Sequence, residues 1–152
     1  MPKIDISKIP LDTATGYPPP FSQAVEGRQR KRLGRAVGLS QFGVNICTLK
    51  PGAASSQRHW HENEDELVYV LEGEVVLCED AGETVLKAGE AAAWKAGVQD
   101  GHCLINRSDR DAVVLEVGSR TAKERAFYSD IDMMVVRDGK EFRYTKKSGE
   151  PY

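Results

Sequence analysis

The stretch His59-Trp60-His61-Glu62-Asn63-Glu64-Asp65-Glu66, followed at once by Leu67-Val68-Tyr69-Val70-Leu71, decides the fold and the chemistry of this chain. Side chains on an extended strand alternate between faces, so His59 and His61 point the same way and both imidazoles reach one point. Glu66 opens the next apolar run and brings a carboxylate toward that point. His102 supplies a third imidazole, and the chain's 3 histidines all belong to this set. Three histidines and one glutamate are a donor set for a divalent first-row metal with positions left open for a ligand. Alternatively, His-x-His is a surface feature and Glu62, Glu64 and Asp65 form a solvated acidic loop.

Outward from this stretch the text is strand, turn, strand. Residues 36–49 hold one or two strands, with Phe42, Val44, Ile46 and Thr48 on one face and Gly43, Asn45, Cys47 and Leu49 on the other. Further strands are expected near 57–61, 66–71, 74–79, 84–86, 91–94, 102–105 and 112–117. Glu72-Gly73 reads as a hairpin turn, and Asp80 to Glu83 as another turn. Many short strands at nearly regular spacing, with no helix of three turns, imply a β-sandwich or barrel. Thr121 to Arg125 reads as one helical turn. Asp138-Gly139 reads as a tight turn across which Glu141 to Tyr144 pairs back.

Residues 1–34 read as an irregular N-terminal arm, because Pro2, Pro10 and Pro18-Pro19-Pro20 exclude a long helix or central strand. Ile4, Ile6 and Ile9 suggest a short edge strand, and Tyr17 and Phe21 suggest anchors for the arm. Arg28, Arg30, Lys31, Arg32 and Arg35 read as a solvated basic loop, since no aromatic or helical pattern accompanies the charge.

The 152 residues suit one domain, and 40% hydrophobic with 29% charged residues is an ordinary globular composition. No apolar run approaches the length of a spanning helix, and the first residues carry no apolar signal core. Cys47, Cys78 and Cys103 lack metal-type spacing and read as reduced thiols, so the expected location is cytoplasmic. A net charge of −2 argues against a general nucleic-acid binder.

The glycines around the histidines add a pattern. Gly52, six residues, His59-x-His61, four residues, Glu66, six residues and Gly73 resemble the first motif of the cupin superfamily. Gly89, Gly97, His102 and Asn106 resemble its second motif, with Lys95 where proline is usual and four residues rather than two between Gly97 and His102. The wider chain resembles small single-domain bacterial cupins. The resemblance implies an all-β, cupin-type double-stranded β-helix (jelly-roll) barrel over 35–120, with the arm at 1–34 and a C-terminal extension at 121–152 packed on the barrel. It implies one divalent transition metal (iron, manganese, nickel, cobalt or zinc) on His59, His61, Glu66 and His102. Gly52, Gly73 and Gly89 are expected in turns where φ is positive. Trp60 is expected to pack away from the metal face, Cys103 to be a core thiol, and Asn106 to tie a turn by side-chain hydrogen bonds.

A metal-dependent enzyme on a small organic molecule follows: a dioxygenase with iron, or an isomerase, epimerase or lyase such as a sugar-phosphate isomerase with other metals. Isomerisation also needs a base. Glu64, Asp100, Tyr69 and Lys95 are within reach by sequence, though each also reads as an exposed or packing residue. The alternative is a non-catalytic small-molecule-binding module whose metal is structural or orients a ligand. Partners are expected to be a small molecule and a second copy in a homodimer, without nucleic acid or membrane.

Overall fold

The computed structural model describes residues 3–139 and 141–152. Its strands are β1 (Arg28–Arg32), β2 (Phe42–Leu49), β3 (His59–His61), β4 (Glu66–Glu72), β5 (Glu74–Glu79), β6 (Gly82–Lys87), β7 (Ala91–Trp94), β8 (Cys103–Ile105), β9 (Ala112–Ser119), β10 (Lys123–Tyr128), β11 (Met134–Asp138) and β12 (Glu141–Thr145). The pairings are antiparallel, in a jelly-roll barrel of two layers. One layer is the sheet β1-β2-β9-β4-β7. The other is made of β12-β11-β10-β3 and β6-β5-β8, which meet at an isolated bridge between His59 and His102. That seam is made of two backbone hydrogen bonds, His59 N–H to the His102 carbonyl (3.1 Å) and the reverse (2.9 Å).

Register decides what faces inward. Asn45 lies opposite Glu116, Cys47 opposite Val114, and Leu49 opposite Ala112. On the next strand, Glu66 lies opposite Gly118, Val68 opposite Glu116, and Val70 opposite Val114. One half of the interior is therefore apolar: Cys47, Leu49, Val70, Val75, Leu77, Leu104 and Val114 form a buried cluster. The other half carries Asn45, Glu66 and Glu116. The alternate residues Phe42, Leu67, Tyr69 and Leu71 point outward and are exposed.

Several local expectations are corrected. The segment with Ile4, Ile6 and Ile9 holds a single 3-10 turn over Ile6–Lys8, capped by the Asp5 side chain, rather than an edge strand. The basic run is a strand: β1 pairs along the whole of its length with β2. The arm runs back along this strand, and Asp12 exchanges two backbone hydrogen bonds with Arg30. Thr121–Arg125 contains no helical turn, because Lys123 onward forms β10 between β3 and β11. Residues 36–49 contain one of the one or two strands expected there, and a one-turn helix over Leu33–Ala36 precedes it.

Glu72-Gly73 joins strands of different layers, β4 and β5, so it is a corner and not a hairpin. Gly73 has φ 75°, and a Cβ there would stand 2.9 Å from the Asp111 carbonyl oxygen, so glycine is required twice over. Gly52 and Gly89 also have positive φ. The β5–β6 hairpin turns at Asp80-Ala81, and β12 pairs back on β11 as the Asp138-Gly139 signal implies. Asn106 is fully buried and donates to the carbonyls of Leu49 and Arg110, both at 2.7 Å, while accepting from the Ser108 N–H. Trp60 faces away from its neighbours and stacks on Phe127, with centroids 4.6 Å apart.

Candidate metal centre

Three of the four expected ligands share the seam of the second layer. His59 and His61 alternate to the same side of β3, and His102 is backbone-paired with His59. Glu66 reaches them from β4 in the facing sheet, where Gly118 opposite leaves room for its side chain. The Nε2 atoms of His59 and His61 are 3.1 Å apart. A single oxygen, Glu66 Oε2, lies 2.9 Å from His102 Nε2, 3.4 Å from His61 Nε2 and 3.7 Å from His59 Nε2. Donors bound to one ion by bonds of about 2.1 Å at right angles stand about 3 Å apart. The donor atoms of His59, His61 and Glu66 lie within 4.8 Å of one another, a grouping able to hold a metal ion.

The outer nitrogens fix the tautomers. His59 Nδ1 lies 2.9 Å from the Gln57 carbonyl, which only accepts, so Nδ1 carries the hydrogen. His61 Nδ1 lies 3.2 Å from Glu124 Oε1 and donates likewise. With both outer nitrogens donating, the inner Nε2 atoms of the two rings face each other across 3.1 Å. Two lone pairs at that distance repel, and either a proton on His61 or a metal ion between the rings removes the repulsion. Glu124, 5% exposed, is itself clamped by the backbone N–H groups of Glu62 and Asn63. Carboxylates placed in this way orient the histidines of metal sites. Trp94 stacks on the His102 ring, with centroids 3.7 Å apart and planes within 5°.

Electrostatics agree with a site built for positive charge. Burial pushes His59 down to about 3, so its ring is neutral. Burial also opposes charge on His61, but hydrogen bonds to Glu124 and Glu66 outweigh it and raise the group to about 9. Burial opposes ionisation of Glu66, yet hydrogen bonds from His102 and His61 hold its carboxyl well below the usual range.

The cluster opens into a cavity of about 410 Å³ between the two layers, partly covered by arm residues 14–17. The structure places the basic run in its wall. Arg28, Arg30 and Arg32 lie opposite Leu49, Cys47 and Asn45, and so face inward. Arg30 meets both oxygens of Glu116 at 2.7 Å, and Asn45 adds a bond to the same carboxylate. Arg28, Arg30 and Arg32 thus belong to a paired strand facing the cavity and not to the solvated loop that their charge suggests in sequence. Their spacing at 28, 30 and 32 is the period-2 signal of a strand with one charged face. Glu124 carried no such signal, because it lies 63 residues from the ring it orients.

Of the residues within reach as bases, Glu64 alone lines the cavity. It is 3% exposed and bound by Arg120, Arg137 and the Thr121 N–H, which also removes it from the solvated acidic loop expected at 62–65. Tyr69 and Lys95 are exposed outside the cavity, and Asp100 accepts from the Asp80 N–H. Cys103 is buried, and burial raises its thiol to about 12. Among the described residues the cavity's other carboxylates are engaged too: Glu66 by His102, Glu116 by Arg30, and Glu124 by the N–H groups of Glu62 and Asn63. The phenols of Tyr17, Tyr128 and Tyr144 complete the wall, and burial raises all three above their usual value, so they keep their protons.

This double-layered barrel, with histidines and a glutamate between its sheets, matches known proteins. A family described as Cupin domain matches residues 45–118. A solved structure of a sugar phosphate isomerase from a cupin superfamily, from Silicibacter pomeroyi, is 48% identical, covers 99% of this chain and 96% of its own, and superposes with a TM-score of 0.96. The chain belongs to the cupin superfamily. A candidate sugar phosphate isomerase from Acidithiobacillus ferrooxidans is 26% identical over 82% of this chain and 80% of its own, with a TM-score of 0.74. A polyketide cyclase from Streptomyces resistomycificus, 20% identical over 78% of this chain and 79% of its own, shares the fold with a TM-score of 0.64. A comparison with curated proteins returned no match. Among the described residues no helix is long and apolar enough to cross a membrane.

Proposed function

We propose that the protein is a metal-dependent isomerase of a small phosphorylated sugar. The observation that carries this reading is the convergence of His59, His61, His102 and Glu66 in a cavity that is also lined by Arg28, Arg30 and Arg32. The 48% identity to a sugar phosphate isomerase supports the substrate class.

His59, His61, Glu66 and His102 would hold the ion, which supplies a Lewis acid for a substrate carbonyl or hydroxyl when bound. Three neutral imidazoles and one carboxylate suit iron, manganese, nickel, cobalt or zinc alike. The chain's own residues do the rest. Gln57 and Glu124 hold two imidazoles with Nε2 facing the cavity. Trp94 fixes the plane of His102 and shields it from water. The three phenols, protonated by burial, would donate hydrogen bonds from Oη to substrate oxygens, and the Tyr128 ring lies 5.7 Å from the His59 ring. The 410 Å³ cavity admits a molecule of a few carbons and a phosphate.

A second reading has its own support. Among the described residues every carboxylate lining the cavity is engaged, so none stands free as a base beside the donor set, as a binding module would allow. One experiment separates the two. Protein purified without an affinity tag is assayed for metal, then incubated with aldose and ketose phosphates in D₂O. Interconversion that is lost in His61→Ala is expected. Metal-loaded protein that binds these compounds without converting them would establish the binding module instead. Oxygen consumption with bound iron would point to a dioxygenase.

A further inference from the structure

The cationic wall contains one group that the metal centre does not use. Arg32 meets Asp12 at 2.5 Å, and Arg30 is clasped by Glu116. Arg28 differs from both. Among the described residues its partners are two carbonyl oxygens, Ser55 O at 2.8 Å and Ala14 O at 3.4 Å, and no carboxylate pairs with it. Yet it is 7% exposed, and it lines the same cavity as the histidines.

A guanidinium has five N–H donors in a fixed fork, and two neutral acceptors leave both its charge and part of that fork unanswered. A buried cation without a counter-ion is costly, because desolvation is not repaid by an opposite charge. Burial weakens the proton affinity of Arg28, and the charge of Arg30 adds to the effect, whereas for Arg30 the Glu116 carboxylate more than reverses it. The surroundings are donors too. Tyr17 and Tyr144 stand with ring centroids 5.5 Å apart, and both keep their phenolic protons. Gly16 permits this arrangement, since a Cβ there would come within 3.0 Å of the Tyr144 ring. The segment 55–59 ties the place to the donor cluster: the Ser55 carbonyl accepts from Arg28, Ser55 Oγ lies 3.4 Å from Ser56 Oγ, and Ser56 Oγ lies 3.3 Å from His59 Nδ1.

We infer that Arg28, with Tyr17 and Tyr144 lining the same cavity, anchors the phosphate of a phosphorylated ligand while its sugar end lies on the histidine cluster. The inference rests on the proposed function in taking the ligand to be a phosphate ester. A phosphate brings the counter-charge that Arg28 lacks and the acceptor oxygens that the fork and the phenols can fill.

The test is calorimetric titration of inorganic phosphate, and separately of acetate, into metal-loaded and chelator-treated protein, because phosphate also ligates metals. Wild type is expected to bind phosphate in both forms and in preference to acetate. Arg28→Gln is expected to weaken phosphate binding by roughly tenfold or more, with metal content unchanged. Arg107→Gln, which loses an exposed pair with Glu83, is expected to bind as wild type does. If Arg28→Gln does not fold, Arg28→Lys carries the test, since it keeps the charge and loses the fork. A folded Arg28 variant that binds phosphate as tightly as wild type, a wild type that binds none, or a preference for acetate overturns the inference. Phosphate binding through Arg28 without sugar-phosphate conversion would defeat the isomerase and leave the anchor. Conversion with a KM for the phosphorylated substrate unmoved by Arg28→Gln would defeat the anchor and leave the isomerase.

Discussion

On β2, β9 and β4 the two halves of the barrel interior differ by one inward step, while β1 carries Arg28 and Arg30 opposite Leu49 and Cys47. On β2 the change is from Asn45 to Cys47, on β9 from Glu116 to Val114, and on β4 from Glu66 to Val68. Each step is two residues, about 7 Å along a strand. On one side, apolar side chains lose their contact with water and hold the layers together. On the other, each charge has a partner or a donor set to serve, apart from Arg28. The apolar half provides stability, and the polar half consumes some of it to keep charged groups in place.

Substitutions sharpen or break that division. The largest effect is expected from Glu116→Ala, which leaves Arg30 buried and unpaired. Both side chains are 16% exposed, so the loss should be about 3–5 kcal/mol of unfolding free energy in a urea titration. A loss well under 1 kcal/mol would mean that water reaches Arg30. In the apolar half, Leu49→Ala is expected to cost about 2–5 kcal/mol and to leave metal content untouched. Loss of metal in that variant would show that the two halves are not separable.

Glu124→Gln should retain the fold and weaken metal affinity about 10- to 100-fold, read by competition with a chelator. Unchanged affinity would remove Glu124 from the relay to His61. The smallest effect is a dependence on pH. Burial opposes ionisation of Glu116, but the charge and hydrogen bonds of Arg30, with Asn45, lower its pKa below the ordinary 4.5. A depressed carboxylate stabilises the fold above its unfolded value and loses that contribution as pH falls through the folded one. The stability gap between wild type and Glu116→Gln should therefore be constant above about 4.5 and shrink on acidification. A gap that widens in acid would reverse the sign of this account.

How much of this was legible follows from the range of each signal. His59-x-His61 and Glu66 could be read because strand alternation and a short loop place them with no knowledge of the rest of the fold. Gly73 could be read as a turn, but not as a corner, because the glycine sets the bend while the pairing of β5 with β6 and β8 decides where the chain goes. Thr121–Arg125 has residues suited to a helical turn, and the free edges of β3 and β11 overrode that preference. The arginines of β1 were the costliest miss. Alternation was present at 28, 30 and 32, but inward charge is unusual, and its meaning depends on Glu116, 86 residues away from Arg30. Glu124 and Tyr128 were hidden for the same reason: they join the site through the pairing of β10 with β3.

The central claim is that three imidazoles and Glu66 hold one divalent metal between the layers. The most direct measurement is the metal content, by mass spectrometry of the elements, of tag-free protein and of His61→Ala, with circular dichroism on both. The account predicts one transition-metal ion per chain in the wild type and almost none in the variant, with the strand signal retained. Equal metal in the two proteins, or a wild type that takes up none after incubation with each of the five candidate metals, would contradict it.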